Sequence, residues 1–199
     1  MKEKKLLAEV YSANLTGRRG SKAIAWRLGE EESVVRNELS KLKKKGLVTG
    51  TVTRPRLTAK GRKKIVVVFV GGGFEIIHTG HLYTLEQAKG LGDVLAVVLA
   101  RDSTIRKRKG REPVTSEVER LALMASMRPV DAAIIGVEGN IYESMEKIGP
   151  DIVTLGYDQY HSEDDIKKEA RKRGMRLKVV RLKAIDLDVK TSKILAEFI

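Results

Sequence analysis

Length, composition and charge already limit what this chain can be. It has 199 residues, 42% of them hydrophobic, which is enough for a buried core and excludes wholesale disorder. The absence of cysteine excludes a disulfide framework, thiolate catalysis and cysteine-ligated metal sites, and 39 Lys and Arg against 26 Asp and Glu leave a net charge of +13 that points to an anionic partner.

The positive charge is concentrated in the first third of the chain. Residues 1–64 hold 18 Lys or Arg and 6 Asp or Glu, a net charge of +12, whereas residues 65–199 carry only +1. The polar sequence KGRKK at 60–64 precedes an apolar run that starts at Ile65. This asymmetry is typical of two units with different partners, so we predict one domain over 1–64 and a second over 65–199.

Three helices and a hairpin are predicted in the first domain. Apolar residues at helical spacing form one face of the first and third helices: Leu6, Leu7 and Val10, then Val35, Leu39 and Leu42. The second helix is predicted over 22–28, ending at Gly29, and the third over 33–45, ending at Gly46. Alternating residues in 47–58 indicate a short basic hairpin.

Four segments of this domain resemble the winged-helix domains of prokaryotic transcription regulators: AIAWRLG at 23–29, VRNELSKL at 35–42, KGLV at 45–48 and LTAKGR at 57–62. The resemblance implies that the third helix enters the major groove of double-stranded DNA and that the hairpin, or wing, contacts the backbone or minor groove. The candidate DNA-binding residues are Arg36, Asn37, Lys41, Lys44, Arg54 and Arg56. Winged helices also serve as protein-docking modules, and a Lys-rich helix is also typical of a solvated face, but the net charge favours nucleic acid.

Strand-length apolar runs alternate with helical patterns in the second domain. The predicted strands are 65–70, 94–100, 132–137, 152–155 and 177–181. The predicted helices are 80–91, 116–127, 141–148 and 163–173, and Ser116 and Glu119 have the spacing of a capping box. The alternation predicts an α/β domain with a doubly wound, parallel, five-stranded sheet that binds ligands beyond the carboxyl ends of its strands.

A glycine-rich turn and two histidines follow the first strand of this sheet. Glycines at 71–73 allow backbone amides to approach a ligand, and the start of the next helix favours an anion. His78 and His81 can converge on phosphate oxygens, where imidazoles donate hydrogen bonds and offset negative charge. The pair is also compatible with a metal site, but zinc needs a third ligand, which would be His161 or a carboxylate.

The sequence GGFEIIHTGH at 72–81 resembles the signature of the cytidylyltransferase-like nucleotidyltransferases, Gly-Thr-Phe-Asp, two residues, then His-x-Gly-His. Gly73 stands in place of the usual Thr, and Glu75 in place of the usual Asp. The similarity continues in order through AKGLGD at 88–93, ARD at 100–102, RKRKGR at 106–111, ER at 119–120, RPVD at 128–131 and LGYDQ at 155–159. It implies a Rossmann-like nucleotidyltransferase fold over nearly all of the second domain.

The family resemblance implies attack by a substrate phosphate on the α-phosphorus of a nucleoside triphosphate, with Mg²⁺, and release of pyrophosphate. It implies catalytic roles for His78, His81 and Lys109, the last on a basic loop that we predict after the second strand. The implied nucleotide-binding residues are Gly72, Gly73, Phe74, His78, Thr79, Gly80, His81, Asp158, Thr191 and Ser192. Lys107 and Arg120 are candidates for binding phosphate or substrate. The plainer alternatives are a solvated turn for 106–111, a helix cap for Thr191 and Ser192, and a structural role for Arg120.

Within this family, ARDST at 100–104, KGREPV at 109–114 and LGYDQ at 155–159 look most like the archaeal FAD synthases, which adenylylate FMN. IDLD at 185–188 replaces the Arg-Thr-x-Gly of glycerol-phosphate enzymes, which counts against that substrate. The predicted function is therefore that of an FMN adenylyltransferase, with ATP or CTP as co-substrate. A cytidylyltransferase acting on another small phosphorylated substrate, and a transcription regulator that uses this fold as a ligand sensor, stay open.

The remaining expectations concern location and assembly. No apolar run approaches the roughly 20 residues of a membrane span, and no signal peptide is recognisable at the start, so we expect a cytoplasmic protein with no membrane partner. Members of both resembled families commonly form dimers, which leaves a homodimer open.

Overall fold

The chain divides into two compact units, Met1–Val66 and Val67–Ile199, called here the N-terminal unit and the C-terminal unit. The division falls two residues beyond the predicted domain boundary. The computed structural model describes residues 1–138, 140–157, 159, 161–183 and 194. Within these ranges, no helix combines the length and the apolar character needed to cross a bilayer.

The N-terminal unit contains helices, a hairpin and a small apolar core. Its elements are α1 Glu3–Leu15, α2 Gly20–Leu28, α3 Glu32–Lys44, β1 Val48–Thr51, β2 Arg54–Leu57 and α4 Ala59–Arg62. The core residues come from the first three helices and the segment before the hairpin: Leu6, Leu7, Val10, Ile24, Val35, Leu39, Leu42 and Leu47. Each of the large side chains contributes about 1.5–3 kcal/mol by its burial. The apolar spacing noted in the sequence therefore corresponds to the faces that pack together.

A glycine is required in the first strand of this hairpin. Strands β1 and β2 pair antiparallel, with Gly50 opposite Pro55. Gly50 has a φ of 84°, and a Cβ at this position would collide with the carbonyl oxygen of Arg54. The short helix α4 follows and is capped by Thr58, whose hydroxyl accepts a hydrogen bond from the Gly61 amide at 3.1 Å. The sequence did not predict α4, because four residues are too few to show helical periodicity.

The C-terminal unit is an α/β domain built on one parallel sheet. Its elements are β3 Val67–Gly72, α5 Thr79–Lys89, β4 Val94–Leu99, α6 Asp102–Lys109, α7 Glu117–Ala125, β5 Ala132–Ile135, α8 Ile141–Ile148, β6 Ile152–Leu155, α9 Glu163–Lys172 and β7 Lys178–Arg181. The strand order is β5-β4-β3-β6-β7, and every pairing is parallel. The predicted doubly wound sheet of five strands is confirmed.

The central strands are apolar along their length because helices cover both faces of the sheet. All six residues of β4 are buried, as are the first four of β3. Side chains from these strands pack with residues of α5 and α7 in the main core, which includes Val68, Val70, Leu85, Ala88, Leu95, Val97, Leu99 and Met124. This core makes the carboxyl ends of β3 and β4 a rigid platform.

The order of the strands creates a crevice beside β3. From β3 the chain proceeds outward to β4 and β5, and then returns to the other side of β3 to form β6 and β7. Connections from neighbouring strands diverge at such a reversal, which leaves room for a ligand beyond the carboxyl ends. The glycine-rich turn that follows β3 lies at this point.

One segment differs from its predicted form. We predicted a basic loop after the second strand of the sheet, but residues Asp102–Lys109 form helix α6, which ends at Gly110 with a φ of 66°. Ile105 is the buried apolar residue of this helix, so no apolar periodicity marks it in the sequence. Arg and Lys are good helix formers, and the left-handed glycine ends the helix.

Candidate active site

The glycine turn at the end of β3 has a constrained backbone. Phe74 has a φ of 51°, a left-handed conformation that is uncommon for a residue with a side chain. The phenyl ring folds back over the strand end, where a Cβ added to Gly72 would lie 2.6 Å from it. Gly72 is therefore required by the position of the Phe74 ring.

The two predicted catalytic histidines lie together beside this ring. His78 immediately precedes α5, whose first residues Thr79 and Gly80 lead to His81. The ring centroids of His78 and His81 are 3.9 Å apart, and those of Phe74 and His81 are 5.2 Å apart. The start of a helix attracts anions, so the pair is placed where imidazoles can donate hydrogen bonds to phosphate oxygens.

A cavity of about 230 Å³ lies at the carboxyl ends of β3, β4, β5 and β6. Its lining includes the predicted nucleotide-binding residues Gly72 and Gly73, while apolar side chains such as Val98, Leu155 and Ile166 form much of the remainder. This is the position where open α/β sheets bind ligands, beyond the carboxyl ends of their strands. His78 and His81 do not line the cavity itself; the glycine turn adjoins both the cavity and, through Phe74, the histidines.

One face of α6 contributes polar groups to the cavity. Arg101, which precedes the helix, lines the cavity together with Thr104 and Arg108, at spacings of three and four residues. These three residues were not predicted as site residues, because the segment was expected to be a loop; helical spacing is the signal that identifies them. Burial, together with the charge of Arg108, lowers the pKa of His161, which also lines the cavity.

The loop between β6 and α9 is tied to the sheet by hydrogen bonds. Gln159 donates its side-chain amide to the Gly71 carbonyl at 3.1 Å. Arg181, on β7, donates to the carbonyl oxygens of Gly156 at 3.0 Å, Gln159 at 3.1 Å and His161 at 2.8 Å. Arg181 was not predicted as a site residue, because its partners are backbone atoms of a distant segment. The predicted nucleotide-binding residues Asp158, Thr191 and Ser192 lie outside the described residues.

Glu75 connects the glycine turn to the segment after α6. Its side chain is 1% exposed and forms ion pairs with Lys109 and with Arg111, the latter at 2.8 Å. The Val114 amide donates to the same carboxylate at 3.2 Å, and the Thr115 hydroxyl donates to the Glu75 carbonyl at 3.1 Å. Lys109, predicted to be catalytic, is thus held by Glu75. Lys107 is exposed on α6 and does not line the cavity.

Arg120 lies in the interior with its guanidinium bound by protein atoms. It donates to the carbonyl oxygens of Gly73 at 2.6 Å and Thr115 at 3.1 Å, and forms an ion pair with Asp102 at 2.7 Å. Its side chain is 1% exposed. These contacts favour the structural alternative for Arg120 over direct binding of phosphate, because its donors face the glycine turn and the ends of α6 and α7.

The described residues contain no cluster of three or more His, Cys, Asp or Glu that fits a metal ion. Zinc coordinated by protein side chains therefore finds no ligand set within these ranges. Mg²⁺ is commonly bound through substrate phosphates and one or two carboxylates, and so does not require such a cluster.

The DNA-binding candidates fall into two groups in the N-terminal unit. Arg36 and Lys41 form ion pairs within α3, with Glu32 at 2.8 Å and Glu38 at 2.7 Å. Asn37 and Lys44 are exposed on the same helix. Four arginines, of which two belong to the hairpin, line a groove of about 130 Å³: Arg18, Arg19, Arg54 and Arg56.

Comparison with known proteins gives the family of the C-terminal unit. The profile of the family described as cytidylyltransferase-like matches residues 69–197. The FAD synthase of Aciduliprofundum boonei is 45% identical over 119 residues, 60% of this chain and 79% of the relative. The FAD synthase of Thermococcus onnurineus is 41% identical over 143 residues, 70% of this chain and 95% of the relative.

A solved structure has a similar fold. The crystal structure of a lipopolysaccharide core biosynthesis protein from Thermoplasma volcanium superposes with a TM-score of 0.59 and 42% identity, covering 61% of this chain and 99% of that protein. The matched residues include the glycine turn, the histidine pair and the cavity described above. The chain therefore belongs to the cytidylyltransferase-like family and is a nucleotidyltransferase.

Proposed function

We propose that this protein is an FMN adenylyltransferase, which makes FAD and pyrophosphate from ATP and FMN. The observation that carries the proposal is the pair His78 and His81 at the start of α5, with ring centroids 3.9 Å apart, in a chain 41% identical to a FAD synthase over 95% of that relative. Other relatives named FAD synthase are 39% to 49% identical to this chain.

The proposed reaction is an in-line transfer at phosphorus. A phosphate oxygen of FMN bonds to the α-phosphorus of ATP, and the bond from that phosphorus to the bridging oxygen of pyrophosphate breaks. Charge accumulates on the phosphate oxygens during this step, so catalysis depends on positioned donors. His78 and His81 are suited to donate hydrogen bonds to these oxygens, aided by the amino terminus of α5. Mg²⁺, when bound to the nucleotide, supplies further charge neutralisation there.

The cavity is suited to the nucleoside portion of the nucleotide. Its wall is largely apolar, as expected for a pocket that takes a base, and Gln159 and Asn140 add polar groups. The glycine turn at its rim lets a triphosphate pass close to the backbone toward the histidines.

The proposed activity is tested by offering ATP or CTP, with Mg²⁺, against FMN, glycerol phosphate and phosphopantetheine. FAD formation and pyrophosphate release are measured for the full chain. We expect turnover with ATP and FMN, and a loss of about 10²–10⁴-fold in His81→Ala. Glu86→Ala, which changes an exposed residue on the same helix, is the matched control. Nucleotide binding without turnover for every pair would contradict the proposal and favour the ligand-sensing regulator.

We also propose that the N-terminal unit is a winged helix-turn-helix domain that binds double-stranded DNA. The specific observation is the arginine-lined groove beside the hairpin, in a unit where Asn37 and Lys44 are exposed on α3. Arg54 and Arg56 form no ion pair with any residue in the described ranges, so their charges are available to phosphates. Arginines around a groove suit the phosphate backbone, and an exposed Asn suits a base edge.

DNA binding is tested by titrating the full chain with a labelled duplex of random sequence and following fluorescence anisotropy. We expect affinity to fall as salt rises, since cationic residues release counterions from the backbone. Absence of binding at low salt would contradict the proposal and leave protein docking as the role of this unit.

A further inference from the structure

Strand β7 is the last strand of the sheet, and within the described ranges no strand pairs with its outer edge. The Lys178 amide donates to the Asp151 carbonyl at 2.9 Å. Two pairs further along, the Leu182 amide donates to the Leu155 carbonyl at 2.8 Å. Because backbone groups alternate in direction along a strand, the amide and carbonyl of Val179 point away from β6. This edge therefore offers backbone groups to one more strand.

An open groove runs along this edge between β7 and α9, and is called here the β7 groove. Four cationic residues line it: Lys167, Arg171, Arg176 and Lys178. Apolar side chains of Ala170, Met175, Leu177 and Val179 line it between them. Among the described residues, the β7 groove shares none with the cavity of the candidate active site. The two sites are therefore separate surfaces of the C-terminal unit.

The charge of the β7 groove is local and largely unpaired. Arg171, Arg176 and Lys178 are exposed and form no ion pair within the part of the chain that the structure describes. Lys167 lies 3.2 Å from Asp164, whose side chain is 92% exposed, so that pair is screened by water. Residues 65–199 together carry a net charge of only +1, so this concentration of cations is not a general property of the unit.

The chemistry of the β7 groove selects among possible occupants. Nucleic acid can meet the cations, but it has no peptide amides and carbonyls with which to extend a sheet. A second copy of the chain would bring a second set of the same cations to the edge, and like charges opposite each other destabilise paired strands. A peptide with acidic side chains meets both requirements, because its backbone extends the sheet and its carboxylates face the cations.

We propose that the β7 groove is a docking site for an extended acidic segment of a partner protein, which adds to β7 as a sixth strand. Alternate side chains of an added strand face α9, so an acidic residue at every second position can reach Arg171 and Lys167. Backbone hydrogen bonds to β7 supply affinity, and the cations supply the preference for acidic sequences. This inference goes beyond the proposed nucleotidyl transfer and does not depend on it.

Charge recognition is tested with a fluorescent peptide of alternating Thr and Glu, whose binding to the full chain is followed by anisotropy. Its counterpart of alternating Thr and Gln is the uncharged probe. We expect the acidic peptide to bind, and Arg171→Ala/Arg176→Ala to bind it about tenfold more weakly. Arg128→Ala/Lys168→Ala removes two exposed cations that do not line the groove and is the matched control. Equal binding of the two peptides, or equal losses in the two double variants, would overturn the proposal.

Methylation of alternate amides tests the strand pairing. In an added strand, every second amide points toward β7 and the others point to solvent. Two forms of the acidic peptide therefore carry N-methyl groups on one or the other alternate set of amides. We expect one form to bind like the unmodified peptide and the other about tenfold more weakly. Equal affinities of the two forms would overturn the proposal, because attraction between charges does not depend on which amides are blocked.

Sedimentation and turnover distinguish the other occupants and the proposed function. If the full chain sediments as a dimer that Val179→Pro converts to a monomer, a second copy occupies the edge and the proposal is wrong; proline is tolerated where an amide faces away from the sheet. Binding of single-stranded DNA but not of the peptide would equally overturn it. We expect FAD synthesis by Arg171→Ala/Arg176→Ala to equal that of wild type. Peptide binding by a chain that makes no FAD supports the docking site and contradicts the proposed function.

Discussion

Arg120 places a full positive charge inside the C-terminal unit, where it holds three segments together. Replacing it with Met removes its bonds to Gly73, Thr115 and Asp102 and leaves these groups without their donor. Breaking a buried ion pair of this kind costs about 3–5 kcal/mol. We expect Arg120→Met to lower the free energy of unfolding by about that amount in urea denaturation followed by circular dichroism. Arg128→Met, an exposed change, should stay within about 0.5 kcal/mol of wild type, and equal stability of the two variants would contradict the structural role.

Glu75 makes stability depend on pH. Burial raises the pKa of its carboxyl group, but hydrogen bonds from Arg111, Lys109 and Val114 lower it more, and the net pKa lies below the ordinary 4.5. The ionised form therefore stabilises the folded state above the unfolded pKa, and this contribution is lost as pH falls through the folded value. We expect wild type to lose stability below about pH 4.5 more steeply than Glu75→Gln in thermal unfolding. Glu112→Gln should follow wild type, and parallel curves for Glu75→Gln and wild type would contradict the assignment.

For single residues, the sequence predicts contacts between near neighbours along the chain better than contacts between distant segments. His78 directly precedes α5 and His81 lies in its first turn, so the contact between their rings is local in the sequence. The carboxylate of Glu75 meets Arg111 from 36 residues away, and no local pattern reveals that pairing. The predicted roles of Lys109 and Lys107 stay predictions, and the structure adds that Lys109 is already held by Glu75.

Among the elements, β7 holds described residues of the loop between β6 and α9 through one of its side chains. Arg181 fixes three carbonyl groups of this loop, whose Gln159 in turn bonds the glycine turn. Arg181→Met removes these bonds, so the loop loses its fixed form at the rim of the cavity. We expect ATP to bind about tenfold more weakly, as measured by isothermal titration calorimetry. Lys178→Met changes an exposed cation of the same strand and should bind ATP like wild type. Equal affinities for the two variants would contradict a role for this loop in nucleotide binding.

Helices and strands were predictable where their pattern is repeated or capped. The predicted capping box at Ser116 and Glu119 is present at the start of α7, and the buried strand β4 was evident as an apolar run. Helix α6 was missed because its residues are almost all polar, so no repeated spacing of apolar residues marks a buried face. That single error hid Arg101 and Arg108 from the predicted site, since the face they share exists only in a helix.

In the whole molecule, the uneven distribution of net charge coincides with the division into two compact units. The net charge of +12 lies in the N-terminal unit, while the family profile matches residues 69–197 of the C-terminal unit. Nucleotidyl transfer and the proposed binding of DNA therefore belong to different parts of one chain. If the two activities are separate, substitutions in one unit should leave the other activity intact.

Paired variants of equal charge test this separation. Arg54→Ala/Arg56→Ala removes two arginines from the groove, and we expect about tenfold weaker duplex binding and a salt dependence reduced by about two counterions, with FAD synthesis unchanged. Arg171→Ala/Arg176→Ala removes two exposed arginines from the C-terminal unit and should preserve both activities. His81→Ala should abolish synthesis and retain duplex binding. If both double variants weaken DNA binding equally, net charge rather than the groove attracts the duplex, because only overall charge is common to the two changes.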